Sequence, residues 1–321
     1  MRALRYDRYG PPEVLEVVDL DEPVPREGEL KIRVRAASLN PLDAKIRAGH
    51  LRLLPMVDRP PRGNGVDFAG EIVGTGGGVS GYFPGMRVFG SLSPFRRAGS
   101  FAEYVCAAPD RIAATPDAVT DAVAATLPIA AGTAVQAFTV DAPLERGMTA
   151  LVIGAAGGVG HFAVQFAKHV GAHVTATCGA DNLDFVRSLR ADVVLDYTAD
   201  DGIRPGARYD VVFDVAGRSS WRTVREVLAP EGIYLNTNGS ASAVLATMAG
   251  TLTSRLAGRQ RVVGLMLRGG APAWQRLAAL AQARSLVPHV RATIGLAGVA
   301  EAQRAIERGH GRGKVVVDPA L

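Results

Sequence analysis

The stretch Thr149-Ala-Leu-Val-Ile-Gly-Ala-Ala-Gly-Gly-Val-Gly160 runs from an apolar segment into a glycine-rich turn, and His161–Val170 continues from it with helical periodicity. A strand, a turn without bulky side chains and a helix start suit a dinucleotide. Its pyrophosphate can approach bare backbone, where free N–H groups and the positive end of the helix attract it. The glycine pattern alone is weak, because Ala155 stands where the first glycine belongs in Ala155-x-Gly157-x-x-Gly160. Its context strengthens it. A second apolar run, Ala172–Thr177, closes a βαβ unit of about thirty residues. The alternative is a tight βα turn that holds no ligand.

Outward from this unit, residues from about 118 onward alternate between helical and strand patterns. Helices are expected at Asp121–Leu127 and Thr133–Val140. Strands are expected at Ala150–Ile153, His173–Thr177, Val193–Leu195, Val211–Asp214, Gly232–Asn236 and Arg261–Leu267. Such alternation makes a doubly wound parallel sheet with its ligand at the carboxyl ends of the strands. The residues before it carry short β-like runs, Leu30–Ala37, Phe68–Gly74 and Arg87–Phe89, punctuated by Gly and Pro, and read as a mostly β domain. A final helix, Ala273–Leu286, and strand, Lys314–Val317, have no sheet of their own and are expected to fold back on that domain. The expected class is α/β, with residues 1–118 and 268–321 forming one domain around a second at 119–267.

Composition narrows the function classes. At 321 residues, 48% hydrophobic and 21% charged, the chain suits two globular domains. No apolar run is long enough to span a membrane, so no membrane partner is expected. The opening Met1-Arg-Ala-Leu-Arg-Tyr-Asp7 places charges where a signal peptide needs an apolar core, which gives a cytoplasmic expectation. Cys106 and Cys178 are too few for a disulfide framework or a four-cysteine metal site. The net charge of +5 comes from scattered arginines, densest at Arg255–Arg261, without the clustered basic and aromatic pattern of a nucleic-acid binder. A small-molecule substrate is the expected partner.

Several further blocks occur in order. They are Ala37-Ser-Leu-Asn-Pro-Leu-Asp-Ala-Lys-Ile-Arg-Ala-Gly49, Gly65-Val-Asp-Phe-Ala-Gly70, Gly99-Ser-Phe-Ala-Glu-Tyr-Val105, Ala131-Gly-Thr-Ala-Val-Gln-Ala137, the glycine turn, and Gly309-His-Gly-Arg-Gly-Lys314. Together they resemble the zinc-independent medium-chain dehydrogenase/reductase family, in its quinone oxidoreductase and enoyl reductase branch, over essentially the whole chain. The resemblance implies a GroES-like, mostly β catalytic domain made from both chain ends, and a Rossmann nucleotide-binding domain between them. It also implies a homodimer through the nucleotide domains, with Arg261–Leu267 as the edge strand.

No zinc or other metal is expected. Where zinc-dependent relatives carry ligands, this chain has Leu39-Asn40-Pro41 and Gly65-Val66-Asp67, and its six histidines fall in no zinc-binding spacing with the two cysteines. Without a Lewis acid, an electron-poor conjugated acceptor is the easier substrate. The resemblance therefore implies an NAD(P)H-dependent, metal-free reductase passing hydride to a quinone or an α,β-unsaturated carbonyl. A nucleotide-binding protein without significant catalysis and a metal-free ketone reductase are the alternatives. Charge developing on the carbonyl oxygen needs a donor. Asn40 stands in the family's signature position and Lys45 could supply a cation; equally, Asn40 could hold the turn before Pro41 and Lys45 be a solvated helix residue. Some relatives carry a tyrosine shortly after the signature, whereas Leu51-Arg52-Leu53 has none.

The cofactor residues implied are Ala156, Gly157, Gly158 and Val159 in the turn, with Thr133, Thr177, Asn182, Tyr197, Ala216 and Asn238 around it. The second strand ends Thr175-Ala-Thr-Cys-Gly-Ala180, with no acid to bind the ribose hydroxyls, which favours NADPH and leaves NADH possible. Against that, Gly179 and Asp181 replace the Ser and Arg or Lys that often hold the 2′-phosphate in this family. The pocket walls implied are Leu51–Val57, Ser91–Arg97 and Ser240–Leu252.

Overall fold

Two runs with no polar interruption, Ala150–Ile153 and Val211–Phe213, are almost wholly removed from solvent, as strands covered on both faces must be. They are the central pair of a six-stranded, all-parallel sheet. The computed structural model describes residues 1–199, 206–237, 259–309 and 311–321. Its sheet order is Val193–Asp196, His173–Cys178, Thr149–Ile153, Tyr209–Asp214, Leu228–Asn236 and Arg261–Gly264. In chain order this is third, second, first, fourth, fifth, sixth, the doubly wound arrangement whose direction reverses between Thr149–Ile153 and Tyr209–Asp214. A ligand crevice is expected beyond the carboxyl ends of those two strands. Helix Gly160–Val170 turns Phe162, Ala163, Val164, Phe166 and Ala167 inward. Phe138 meets Phe213 edge to face at 5.5 Å between ring centroids, a contact that adds about 1 kcal/mol beyond burial.

This sheet belongs to one of two structural units, Thr133–Leu267; the other is Met1–Gly132 with Arg268–Leu321. The break near the middle of the chain falls after Gly132 rather than at residue 118. Helical pattern puts 119–132 with the nucleotide unit, but Asp121–Ala125 packs on strands Leu30–Ser38, Asp67–Thr75 and Arg87–Ser91 of the first unit. Periodicity reports which face of a helix is apolar and not which sheet covers it.

The first unit has two sheets. A small one runs Glu16–Asp19, Arg2–Tyr6, Arg62–Gly63, antiparallel throughout. The larger runs Val290–Ile294, Lys314–Val317, Leu30–Ser38, Asp67–Thr75, Arg87–Ser91 and Ile112–Ala114, with Tyr104–Ala107 also pairing Leu30–Ser38. Lys314–Val317 thus finds its sheet in the first unit, between a parallel and an antiparallel neighbour. Val290–Ile294 is a strand that the sequence expectation above does not include, although Val-Arg-Ala-Thr-Ile alternates; its Arg291–Thr293 centre is exposed. A core of Leu30, Ile32, Phe68, Ile72, Val88, Phe101 and Ile112 fills the space around these strands.

Candidate cofactor and active site

The glycine turn leaves the central strand at the point where the sheet reverses. Its left-handed residue is Gly154, with φ of +85°. The tight-turn glycine is therefore one position before Ala155, and the pattern reads Gly154-x-x-Gly157-x-x-Gly160. A Cβ on Gly160 would lie 2.1 Å from the Gly154 carbonyl oxygen, so the helix start packs directly on the turn. At Gly157 a Cβ would meet only that same oxygen, at 3.4 Å. Internal packing does not require a glycine there; close approach of a ligand to the backbone does. The Ala155 N–H donates to the Thr177 carbonyl at 2.9 Å, tying the turn to the next strand. Ala216 closes the other side: its Cβ stands 3.0 Å from where a Gly154 Cβ would be. The Thr177 hydroxyl is buried and has no hydrogen-bond partner among the described residues. A bare turn, an adjoining helix N-terminus and an orphaned hydroxyl fit a bound dinucleotide.

His161, at the start of that helix, is fully buried. Its ring Nδ1 lies 2.9 Å from the Gly157 carbonyl oxygen and the ring packs on Phe162 at 4.1 Å. It braces the turn from inside rather than covering a ligand from outside. Thr133 is buried within helix Gly132–Gln136, and Val159 is half-buried just before helix Gly160–Val170. Asn238 and all of Ser240–Leu252 lie outside the described residues, as does His310.

At the end of the neighbouring strand the residues expected near the ribose come together. The Tyr197 hydroxyl stands 3.3 Å from the Cβ position of Gly179, and the Asn182 N–H donates to the Gly179 carbonyl at 2.9 Å. Asp196, the acid that ends the third strand, turns away: one carboxylate oxygen accepts from the Thr198 N–H at 2.9 Å and its hydroxyl at 2.7 Å. Those bonds hold its pKa below the usual carboxylate range.

The loop after Tyr209–Asp214 is shaped by Asp214, which sequence reading passes over. Its buried carboxylate accepts from the N–H groups of Gly217 at 2.8 Å, Arg218 at 3.4 Å and Ser219 at 2.7 Å, and from the Tyr234 hydroxyl at 3.2 Å. Burial nevertheless pushes its pKa upward, against these donors. The signal available was an acid ending a buried strand and followed three residues later by glycine.

In the first unit a polar network is buried at the helix Pro41–Arg47. Asn40 precedes that helix and is 2% exposed. Its two amide protons go to Asp67 Oδ2 at 2.9 Å and the Ser38 carbonyl at 3.2 Å, and its Oδ1 accepts from Lys314 Nζ at 2.6 Å. Lys314 also donates to the Leu39 carbonyl at 2.8 Å. Asp67 Oδ2 additionally accepts from the Ile129 N–H at 3.2 Å, and Asp43 accepts from the Asn40 N–H at 2.7 Å. Asn64 and Gln303 extend the network to helix Val299–Glu307. Burial pushes Asp43 up to about 8 and Asp67 up to about 6, and pushes the Lys314 ammonium down to about 8; the opposite charges pull against each shift. Asp67 therefore serves the network.

Asn40 has no amide proton left to offer a ligand. Lys45, half-buried on the same helix, makes no side-chain hydrogen bond or ion pair among the described residues. Asn40 accepts from the Lys314 ammonium and Asp67 from the Asn40 amide, where a metal would need free donors. Among the described residues no group of three or more His, Cys, Asp or Glu side chains is placed to hold a metal ion.

A model described as "Alcohol dehydrogenase GroES-like domain" matches residues 26–117, and one described as "Zinc-binding dehydrogenase" matches 189–317. The chain is 36% identical to a quinone-oxidoreductase homolog, chloroplastic, of Spinacia oleracea, across 99% of this chain and 98% of that one. The chain belongs to the medium-chain dehydrogenase/reductase family, in its quinone oxidoreductase branch. An NADPH-dependent alkenal/one oxidoreductase, chloroplastic, of Arabidopsis thaliana is 37% identical over 68% of this chain and 58% of its own length. Among solved structures, the quinone oxidoreductase from Coxiella burnetii superposes with a TM-score of 0.89 at 31% identity, covering 99% of both chains. The family fold, a GroES-like unit and a parallel-sheet Rossmann unit, is the one described above, and family membership makes the chain an oxidoreductase. The cytoplasmic expectation is overturned: both plant relatives are chloroplastic. Charges near Met1 speak against one export route only, and an organellar address is read by a receptor rather than written in the composition of the fold.

Proposed function

We propose that this family member is an NAD(P)H-dependent reductase of quinones or activated alkenes that works without a metal. The observation that carries the reading is the Gly154–Gly160 turn at the reversal of a parallel sheet, joined to a first unit whose zinc-ligand positions hold an internal Asn–Asp–Lys network. The names of the two plant relatives supply the acceptor classes, quinone and alkenal or alkenone. When bound, the nicotinamide supplies the hydride.

The protein's part is to hold the dinucleotide and to place a proton donor where charge develops on the acceptor oxygen. The backbone of Gly157, Gly158 and Val159 would hold the pyrophosphate, with Thr177 at the adjoining strand end and Ala216 opposite. Lys45 is the donor proposed for the oxyanion, because its protons are uncommitted. Asn40 is a positioning residue: it links Lys314 to Asp67 and fixes the start of the helix that carries Lys45. NADPH is the cofactor proposed, on the absence of an acid at the end of His173–Cys178 and on the commitment of Asp196 to Thr198. A homodimer through Arg261–Gly264 is proposed because that strand is an edge of the parallel sheet.

The test is reduced-nicotinamide absorbance, followed with chelator-treated protein, NADPH or NADH, and a panel of quinones and 2-alkenals. Acceptor-dependent oxidation is expected, faster with NADPH. Tight nicotinamide binding with no turnover on any acceptor would favour the non-catalytic alternative, and activity lost on chelation and restored by zinc would overturn the metal-free reading.

A further inference from the structure

The turn after strand His173–Cys178 lacks a cation for a 2′-phosphate and instead offers Asp181, whose charge would repel one. A binding site for NADPH at this strand end needs a positive group from elsewhere. The structure provides one from a different loop. The guanidinium of Arg218 lies over the Tyr197 ring at 5.1 Å from its centroid, and the Tyr197 hydroxyl stands over Gly179. The loop that carries Arg218 is not free to wander, since three consecutive N–H groups, those of Gly217, Arg218 and Ser219, are held by the buried Asp214 carboxylate. Arg218 itself is exposed and makes no ion pair among the described residues.

We propose that Arg218, seated on the Tyr197 ring, is the residue that binds the 2′-phosphate of NADPH and so sets the preference of this enzyme over NADH. This rests on the nicotinamide-reductase reading. A planar guanidinium suits a phosphate because it presents parallel N–H donors, and the ring holds it in place with little further loss of freedom on binding. The Tyr197 hydroxyl then supplies a second donor from the same side.

The experiment measures dissociation constants of the full-length protein for NADPH, NADH, 2′,5′-ADP and 5′-ADP by calorimetry, for the wild type and for Arg218→Gln, Arg218→Lys and Tyr197→Phe. Arg218→Gln is expected to weaken NADPH and 2′,5′-ADP by about ten- to a hundredfold, the loss of one charge-assisted pair, while NADH and 5′-ADP change less than about threefold. Arg218→Lys should restore part of the difference, and raising salt should erode the NADPH advantage of the wild type more than that of Arg218→Gln. Equal weakening of NADPH and NADH, or no change in either, would overturn the proposal. Wild-type protein that binds neither dinucleotide nor either adenosine phosphate would instead overturn the reading on which it rests.

Discussion

At the scale of single residues, Asn40 and Lys45 lie on one short segment and have opposite fates. Asn40 spends every side-chain hydrogen-bonding group inside the protein, while Lys45 keeps its donors. Replacing Asn40 by Ala strands Asp67 and Lys314 in a buried site, and a stability loss of about 2–3 kcal/mol is expected from chemical denaturation. Replacing Lys45 by Met should leave that stability within about 0.5 kcal/mol, lower kcat by about a hundredfold and leave the nucleotide dissociation constant unchanged. Equal kcat in the Lys45 variant and the wild type would remove Lys45 from the chemistry. The buried acid makes a separate prediction. Asp67 has a folded pKa of about 6 against an ordinary 3.8, raised by burial. The folded state therefore holds the proton more tightly than the unfolded one, its contribution is complete below pH 4, and stability is lost as pH rises toward 6. The loss is about 3 kcal/mol at 1.36 kcal/mol per tenfold change in proton affinity. Urea unfolding from pH 4 to 7 should show the Asp67→Asn variant gaining on the wild type across this window; parallel curves would refute the buried-acid account.

At the scale of elements, the strands buried on both faces were legible because an unbroken apolar run has few other uses in a βα alternation. Thr149–Ile153 and Tyr209–Asp214 declare themselves this way, and Leu30–Ser38 does so by alternation. Val290–Ile294 alternates too, but over only five residues whose Arg291–Thr293 centre is exposed, and it pairs with Lys314–Val317 near the end of the chain. The glycine turn was legible as a nucleotide turn but not in its register, because a φ of +85° at Gly154 leaves no trace in composition. Its geometry separates two glycines that look alike in the sequence. A Cβ at Gly160 collides with the Gly154 carbonyl at 2.1 Å, whereas at Gly157 it makes ordinary contact at 3.4 Å. Gly160→Ala is expected to destabilise the protein by about 3 kcal/mol and to abolish nucleotide binding with it. Gly157→Ala should keep the melting temperature within about 2 °C and still weaken nucleotide binding about tenfold or more, because the methyl projects where the pyrophosphate approaches. A thermal scan with a parallel binding titration distinguishes them, and a Gly157→Ala protein that binds normally would put the pyrophosphate elsewhere.

At the scale of the whole molecule, the first unit is closed by the last strand of the chain. Charge and periodicity mark Lys314–Val317 as a strand, yet they do not reveal that it carries a lysine into a buried acid network, because Lys314 reads as an exposed residue opening an apolar run. All four residues are buried, between Val290–Ile294 and Leu30–Ser38. Ending the chain at Arg312 would expose three valines' worth of apolar surface, about 1.5–3 kcal/mol each. It would also leave Asp67 without its cation, about 3–5 kcal/mol more, and deprive Val290–Ile294 of its partner in the sheet. That sum reaches the whole stability of an ordinary domain, about 5–15 kcal/mol. Lys314→Met, which keeps the strand and removes only the charge, should cost about 3–5 kcal/mol and still fold. The six-stranded parallel sheet draws no strand from residues 1–132 or 268–321, so the damage from truncation should be confined to one unit. Hydrogen exchange on the truncated chain is expected to show rapid exchange along Asp67–Thr75 with protection kept along Thr149–Ile153. Protection retained in Asp67–Thr75 would mean that the first unit holds together without the end of the chain, and that Lys314 tunes its buried acids without being needed to build it.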